Sequence, residues 1–308
     1  MEFKNKLMQK NGLVATLLAR EFITKNEGER INTVSYYSEK FSYGRGTIQN
    51  ALNLLKDSQA IKLRAKGHKG TFIEKLNYEI LWDFTGLGTL MGVMPLPYSK
   101  LYEGLSTGLY KSIEGKNIPF NLAYMRGAKN RIEALKRKRY DFAVLSKFAA
   151  LNSIKNNEEI EIIMDFGRYS YVNEHAMIFS EKAKTKIEKN MKVGIDKSSL
   201  DHYILTLDAC KGIDVNFIDL PYNQILSKVI NKEIDAAIWN VDEINERKMD
   251  IKYYKLEREN IKGEDTQAVI VVNKTNDGIK NLLLDIIDQN LVKTYQKNVV
   301  KGNIIPNY

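Results

Sequence analysis

Cysteine occurs once in this 308-residue chain, as Cys210, which excludes an internal disulfide and points to a reducing compartment. Histidine is scarce too: His68, His175 and His202 are the only three. The spacings of His175, His202 and Cys210 fit no zinc pattern, so no metal is expected. A Ser-His-Asp cue, a nucleophile elbow and a phosphate loop are also missing. Gly86-x-Gly88-x3-Gly92 is glycine-rich, but it precedes a strand and lacks dinucleotide-loop spacing. No lysine sits in a convincing cofactor context, and no cofactor is expected. No segment approaches the ~18 unbroken apolar residues of a membrane span. The start, Met1-Glu2-Phe3-Lys4-Asn5-Lys6, has no apolar run of signal-peptide length behind it. These absences favour the cytoplasm, no membrane contact and a protein that is not an enzyme.

What is present is positive charge, unevenly placed. Residues 1–77 hold 14 Lys/Arg against 7 Asp/Glu, a balance of +7. The remainder holds 33 against 31, only +2. A small basic head on a near-neutral body suggests that the head meets a polyanion. Hydrophobic residues make up 44% of the chain, enough for a real core.

Within the head, Ile48, Ala51, Leu52 and Leu55 fall at i, i+3, i+4 and i+7, one face of a helix. Its first turn and outer face carry Arg45, Thr47, Gln49, Asn50 and Asn53, donors that reach phosphates and base edges. Upstream, Val14, Leu17, Leu18 and Phe22 predict a helix over roughly 6–25. Thr33 is placed to cap a second helix with Val34, Tyr37 and Phe41 inward. Downstream, 61–64 alternates as a strand does, Lys66-Gly67-His68-Lys69-Gly70 turns, and 71–73 returns. Three helices and a basic-tipped hairpin make a winged helix-turn-helix. The expected contacts to double-stranded DNA are Tyr43, Arg45, Thr47, Gln49 and Asn50 on the helix, with Lys66, His68 and Lys69 on the wing. Such a domain also serves some proteins as a protein-binding module; the charge favours DNA.

Arg45-Gly46-Thr47-Ile48-Gln49-Asn50-Ala51-Leu52, followed by Gly67-His68-Lys69-Gly70-Thr71-Phe72, resembles the DNA-binding domain of GntR-type regulators. Arg45, Thr47, Gly70 and Thr71 match that pattern. Ser35 stands where an arginine contact is expected, and Gln49 where arginine is common, so the resemblance implies an altered base preference.

Residues 77–85 read as a connector, too apolar for a free linker: a short element packed between domains or across a dimer, or a buried strand. From 86 to 308 strands and helices alternate. Strands are expected at 90–94, 120–125, 141–145, 160–164, 176–179, 192–195, 215–218, 234–239 and 268–272, and a helix over 279–298. Such alternation implies mainly parallel sheets covered by helices. The run 131–145 resembles 225–239 in design: a helix, a charged turn, then an aspartate (Asp141, Asp235) before a small-apolar strand. Two like lobes resemble type-2 periplasmic binding proteins and the effector domains of LysR-type regulators. Gly92-Val93-Met94-Pro95-Leu96-Pro97-Tyr98-Ser99, together with Tyr102-Glu103-Gly104-Leu105 and the head, looks like the YhfZ-type regulators. The fold class is therefore multidomain: an α+β winged helix-turn-helix (1–76), a connector (77–85) and a two-lobed α/β effector-binding domain (86–308) of periplasmic-binding-protein type.

Ligands of open α/β sheets bind beyond the carboxyl ends of strands. Those ends carry Pro97, Tyr98 and Ser99; Arg126; Ser146; Asp196, Ser198 and Ser199; and Trp239 and Asn240. They suit a small polar, anionic molecule. The reading is a homodimeric, DNA-binding transcriptional regulator that senses a small-molecule effector and binds an operator. The alternatives are an enzyme using the interlobe cleft with the head as accessory, and a solute receptor, which needs export.

Overall fold

The computed structural model describes residues 9–116, 118–156, 158–256 and 263–308. The chain divides into two compact units. The first takes the described residues up to Leu90 with Ile113–Phe120 and Gly278–Ile287; the second takes Met91–Ser112, Asn121–Asp277 and Asp288–Tyr308.

In the first unit, α1 (Lys10–Phe22) buries Val14, Ala15, Leu18, Ala19 and Phe22. The expected start at 6 lies outside the described residues. Thr33 caps α2 (Val34–Phe41), its Oγ1 accepting from the Tyr36 N–H at 3.2 Å. Ser42, at φ 59°, ends that helix in the left-handed region. Helix α3 (Arg45–Asp57) buries Ile48, Ala51, Leu52 and Leu55, the four residues whose spacing set its phase. Strands β1 (Ile61–Ala65) and β2 (Thr71–Leu76) pair antiparallel across a 3₁₀ turn at Gly67–Lys69. Arg30 bridges to Phe72, giving the hairpin a third neighbour. Residues 78–85 are a helix, α4 (Tyr78–Thr85), capped by Asn77. Its apolar side accounts for the connector's composition: Leu81 and Trp82 are buried, and α4 packs on α1. Arg20 donates to the Thr85 carbonyl at 2.9 Å and Tyr78 to the Lys25 carbonyl at 3.0 Å, fixing that packing.

The chain continues through β3 (Leu90–Met94), α5 (Lys100–Glu114), β4 (Phe120–Tyr124), α6 (Ala128–Lys136), β5 (Phe142–Ser146), α7 (Lys147–Lys155) and β6 (Ile160–Asp165). Next come β7 (His175–Phe179), β8 (Lys192–Ile195), α8 (Leu200–Ala209), β9 (Asn216–Asp219), α9 (Tyr222–Ile230), β10 (Ala236–Asn240), α10 (Val241–Glu246) and β11 (Tyr253–Lys255). Then follow β12 (Ala268–Asn273), α11 (Asp277–Ile286) and α12 (Gln289–Val300). The helix expected over 279–298 is thus two, broken where Asp288 accepts from the N–H groups of Asn290 and Leu291 and starts α12 afresh.

The second unit is built on two five-stranded sheets, ordered β4-β3-β5-β12-β6 and β11-β7-β10-β8-β9. They are mixed, which corrects the mainly parallel expectation. β3 and β5 are parallel, as are β10, β8 and β9. β12 runs antiparallel to both β5 and β6, and β7 antiparallel to β10 and β11. The two reversed strands, β7 and β12, each follow a crossing of the chain between the sheets. No helical crossover on their own sheet sets their direction.

The repeated design has a physical basis. Asp141 accepts from the Met91 N–H at 2.8 Å and returns its own N–H to the Met91 carbonyl at 2.7 Å. Asp235 does the same with Lys192, at 2.6 and 2.8 Å. Each aspartate thereby locks the start of the strand beside its own. Before each, a lysine at positive φ (Lys138, 56°; Lys232, 58°) ends the helix. The charged run Lys136-Arg137-Lys138-Arg139 is that helix end: Lys136 pairs with Glu158 at 2.8 Å and Arg137 with Glu133 at 2.8 Å.

Candidate functional site

Two regions carry chemistry. On the head, the buried face of α3 turns Arg45, Gln49 and Asn50 outward, all exposed. Thr47 and Tyr43 are half-buried; Tyr43 is held by Ser38, whose hydroxyl donates to its carbonyl at 2.6 Å. Gln49 donates to Asn53 at 3.3 Å, so these amides form a pair along the outer face. On the wing, His68 and Lys69 are exposed, and Lys66 lies over the Phe72 ring at 4.5 Å. One residue the sequence reading passed over is Arg30. It is exposed, and its guanidinium lies against Gly70, where an added Cβ would fall 2.6 Å from Nε. A groove of about 420 Å³ runs there, with Arg30, Gln49, Lys56 and Thr71 among its walls.

The second region is a cleft between the two sheets. From the first lobe it is lined by Pro95, Leu96, Tyr98, Tyr102, Arg126 and Arg131. The crossing chain adds Tyr171, Val172 and His175, and the second lobe Ser199, Asp201, His202, Tyr222 and Asn240. It encloses about 60 Å³. Of the ten expected ligand residues, Tyr98, Arg126, Ser199 and Asn240 line it. Pro97, Ser99, Ser146, Asp196, Ser198 and Trp239 are not among its walls, and several of these support those that are. Trp239 is 2% exposed and stacks under the Tyr222 ring at 4.2 Å, holding that ring toward the cleft. Ser99 is buried where the chain enters α5, and Pro97 is half-buried.

Asp196 faces Arg126 at 4.0 Å, across the lobes. Burial alone would raise its pKa. Donation from the Ser198 N–H and hydroxyl and the Tyr222 N–H, with Arg126 nearby, brings it below the ordinary value. Ser146 is fully buried and spans the lobes: its hydroxyl donates to Asp201 at 2.8 Å and accepts from the Ala149 N–H at 3.0 Å. Lys100 donates its N–H to the Glu246 carboxylate at 3.0 Å, another link between lobes. The lobes also touch at Gly127. It sits at φ 78°, and an added Cβ would fall 2.7 Å from the Ser198 carbonyl oxygen.

The base of the cleft holds groups the sequence reading missed. Arg131 is 3% exposed; it donates through Nη1 to the Met125 carbonyl at 2.7 Å and through Nη2 to the Tyr171 hydroxyl at 3.1 Å. Its position was readable, because Ala128, Arg131 and Leu135 fall on one helical face at i, i+3 and i+7. Burial raises the Asp201 carboxyl to about 6. His175 pairs with Asp265 at 3.1 Å. His202 receives the Asp196 N–H at Nδ1, 3.1 Å, and faces the Ile238 carbonyl through Nε2, 3.0 Å. That pairing fixes the neutral tautomer with hydrogen on Nε2, and burial lowers its pKa to about 4. Tyr98, Tyr102, Tyr171 and Tyr222 supply aromatic walls. Among the described residues no group of three or more His, Cys, Asp or Glu is placed to hold a metal ion, and no helix is long and apolar enough to cross a membrane.

Known proteins resemble the chain along most of its length. The family model described as YhfZ C-terminal domain matches residues 77–308, and a helix-turn-helix domain model matches 26–73. YhfZ of Escherichia coli (strain K12) is 32% identical over 302 residues, 98% of each chain. The crystal structure of YhfZ from Shigella flexneri superposes with a TM-score of 0.61 and 31% identity, covering 75% of this chain and 98% of that one. The substrate-binding protein of a methionine transporter from Streptococcus pneumoniae reaches a TM-score of 0.50 at 14% identity, over 71% of this chain and 96% of that one. The last is a likeness of fold alone: behind the helix-turn-helix head, the chain has a mixed-sheet α/β domain like those of periplasmic binding proteins.

Proposed function

The chain belongs to the YhfZ family, and from that premise we propose that it is a GntR-like, DNA-binding transcriptional regulator of the cytoplasm, acting as a homodimer on an operator. In this reading residues 1–76 bind DNA, 77–85 connect, and 86–308 form a sensor of a small polar, anionic effector rather than an enzyme. One observation supports it above others. The same chain joins a helix whose first two turns present Arg45, Thr47, Gln49 and Asn50, donors with no acidic side chain among them, to a cleft with a buried arginine in its wall. Arg45 and Thr47 set register or touch a base, Gln49 and Asn50 read bases, and Lys66, His68 and Lys69 hold the flanking phosphates. A second copy supplies the second half-site that a single recognition helix lacks. Fluorescence anisotropy with genomic and random duplexes over a salt series tests the reading. Binding that weakens steadily as salt rises is expected, because each neutralised phosphate releases counterions. No affinity, or affinity indifferent to salt, overturns it.

A further inference from the structure

Charges of both signs line the cleft, and the partners within the protein leave each incomplete. Arg131 spends Nη1 and Nη2 on two neutral acceptors, while its buried Nε has no hydrogen-bond partner. The Tyr98 hydroxyl, also in the wall, is buried with no partner. On the facing lobe Asp201 is 6% exposed, and the one hydrogen bond it accepts from a described side chain is the neutral Ser146 hydroxyl. His175, also in the wall, is engaged by Asp265 at 3.1 Å. Arg131 is close enough to pull the Asp201 carboxyl downward against its burial, yet the two form no ion pair among the described residues.

A ligand bearing an anion alone would complete Arg131 and set a second negative charge beside Asp201. A ligand bearing a cation alone would do the reverse beside Arg131. We propose that the effector is a short amino-carboxylate, its carboxylate received by Arg131 Nε and the Tyr98 hydroxyl and its ammonium by the Asp201 carboxylate. Charge-assisted hydrogen bonds of this kind are the strong ones. A zwitterion adds no net charge to a closed site, so neither buried group is left uncompensated. The cavity of about 60 Å³ and its tyrosine walls limit the rest of the molecule to a small body. This inference rests on the reading of the cleft as an effector site and narrows its anionic effector to a carboxylate that also carries an ammonium.

The test is calorimetric titration and thermal shift on the full chain with four sets of probes. These are glycine, L-alanine, L-serine and β-alanine; glycolate, L-lactate and propionate, which lack the ammonium; ethylamine, which lacks the carboxylate; and inorganic phosphate. At least one amino-carboxylate is expected to bind saturably and at least ten-fold more tightly than its deamino counterpart, with ethylamine weaker still. Asp201→Asn keeps the Ser146 bond and is expected to cost that amino-carboxylate ten-fold or more while binding the deamino acid at least as tightly as the unaltered protein does. If that variant fails to fold, the ranking of probes on the unaltered protein decides alone. Deamino acids or phosphate binding as tightly as the amino-carboxylates overturns the amine subsite but leaves the anion-sensing reading standing. No binding by any probe overturns both.

Discussion

The head and the cleft use arginine in opposite ways. Arg45 stands in water on the first turn of α3, while Arg131 is 3% exposed and holds two protein acceptors. A solvated charge acts at a distance, is screened by salt, and is one contributor among several. A buried charge is desolvated in advance, so its few remaining valences select a partner. The first arrangement suits a long polyanion read by summed contacts, and the second suits a small molecule read by individual ones.

Several substitutions would break or sharpen that contrast. The largest expected effect is at Arg131→Ala, which empties a buried site and strands the Met125 carbonyl and the Tyr171 hydroxyl; a loss of about 3–5 kcal/mol is expected in denaturant unfolding. A loss below about 1 kcal/mol would mean that the arginine is not built in as described. Next, Arg45→Ala should leave folding stability within about 0.5 kcal/mol and cost roughly 1–3 kcal/mol of specific duplex binding. An electrophoretic shift unchanged by the substitution would remove Arg45 from the reading face.

The third prediction concerns pH. Asp201 titrates at about 6 in the folded chain against an ordinary 3.8. Between those values the folded state binds more protons than the unfolded, so this group's contribution falls as pH rises from 4 to 6. His202 titrates at about 4 against an ordinary 6.5. There the folded state binds fewer protons, so its contribution grows over the same span. Neighbours in sequence thus oppose one another, and their combined stability profile is nearly flat between pH 4 and 6. Asp201→Asn should uncover a rise of on the order of 1–3 kcal/mol across that window, and His202→Gln a fall of similar size. Parallel profiles for the two variants would sink the pairing. The smallest effect is expected from replacing Lys136 and Arg137 together by Gln. Both are satisfied by surface carboxylates, so neither melting temperature nor duplex affinity should change measurably.

The head was readable because its signals are local. Four apolar residues at helical spacing set the phase of α3, and a threonine capped α2 where a cap was needed. The Asp141 and Asp235 repeat was also visible, although its purpose needed the neighbouring strands, which lie some 40–50 residues away in sequence (Lys192 to Asp235, Met91 to Asp141). Sheet direction was not readable, since it depends on where the chain crosses between sheets, and no periodicity records that. The cleft draws on separate stretches around Tyr98, Arg126, Tyr171, Asp201, Tyr222 and Asn240. A strand-end rule finds some of these and also selects Trp239, because the rule knows the end of β10 but not that Tyr222 lies over it.

The missing side chain at Gly127 gives an experimental handle on how the two lobes meet. Its backbone faces the Ser198 carbonyl with no room for a Cβ, so Gly127→Val would act as a doorstop wedged between the two lobes. If the proposed reading holds, Gly127→Val is expected to change duplex affinity without any ligand being known; an affinity equal to that of the unaltered protein would separate the cleft from DNA binding.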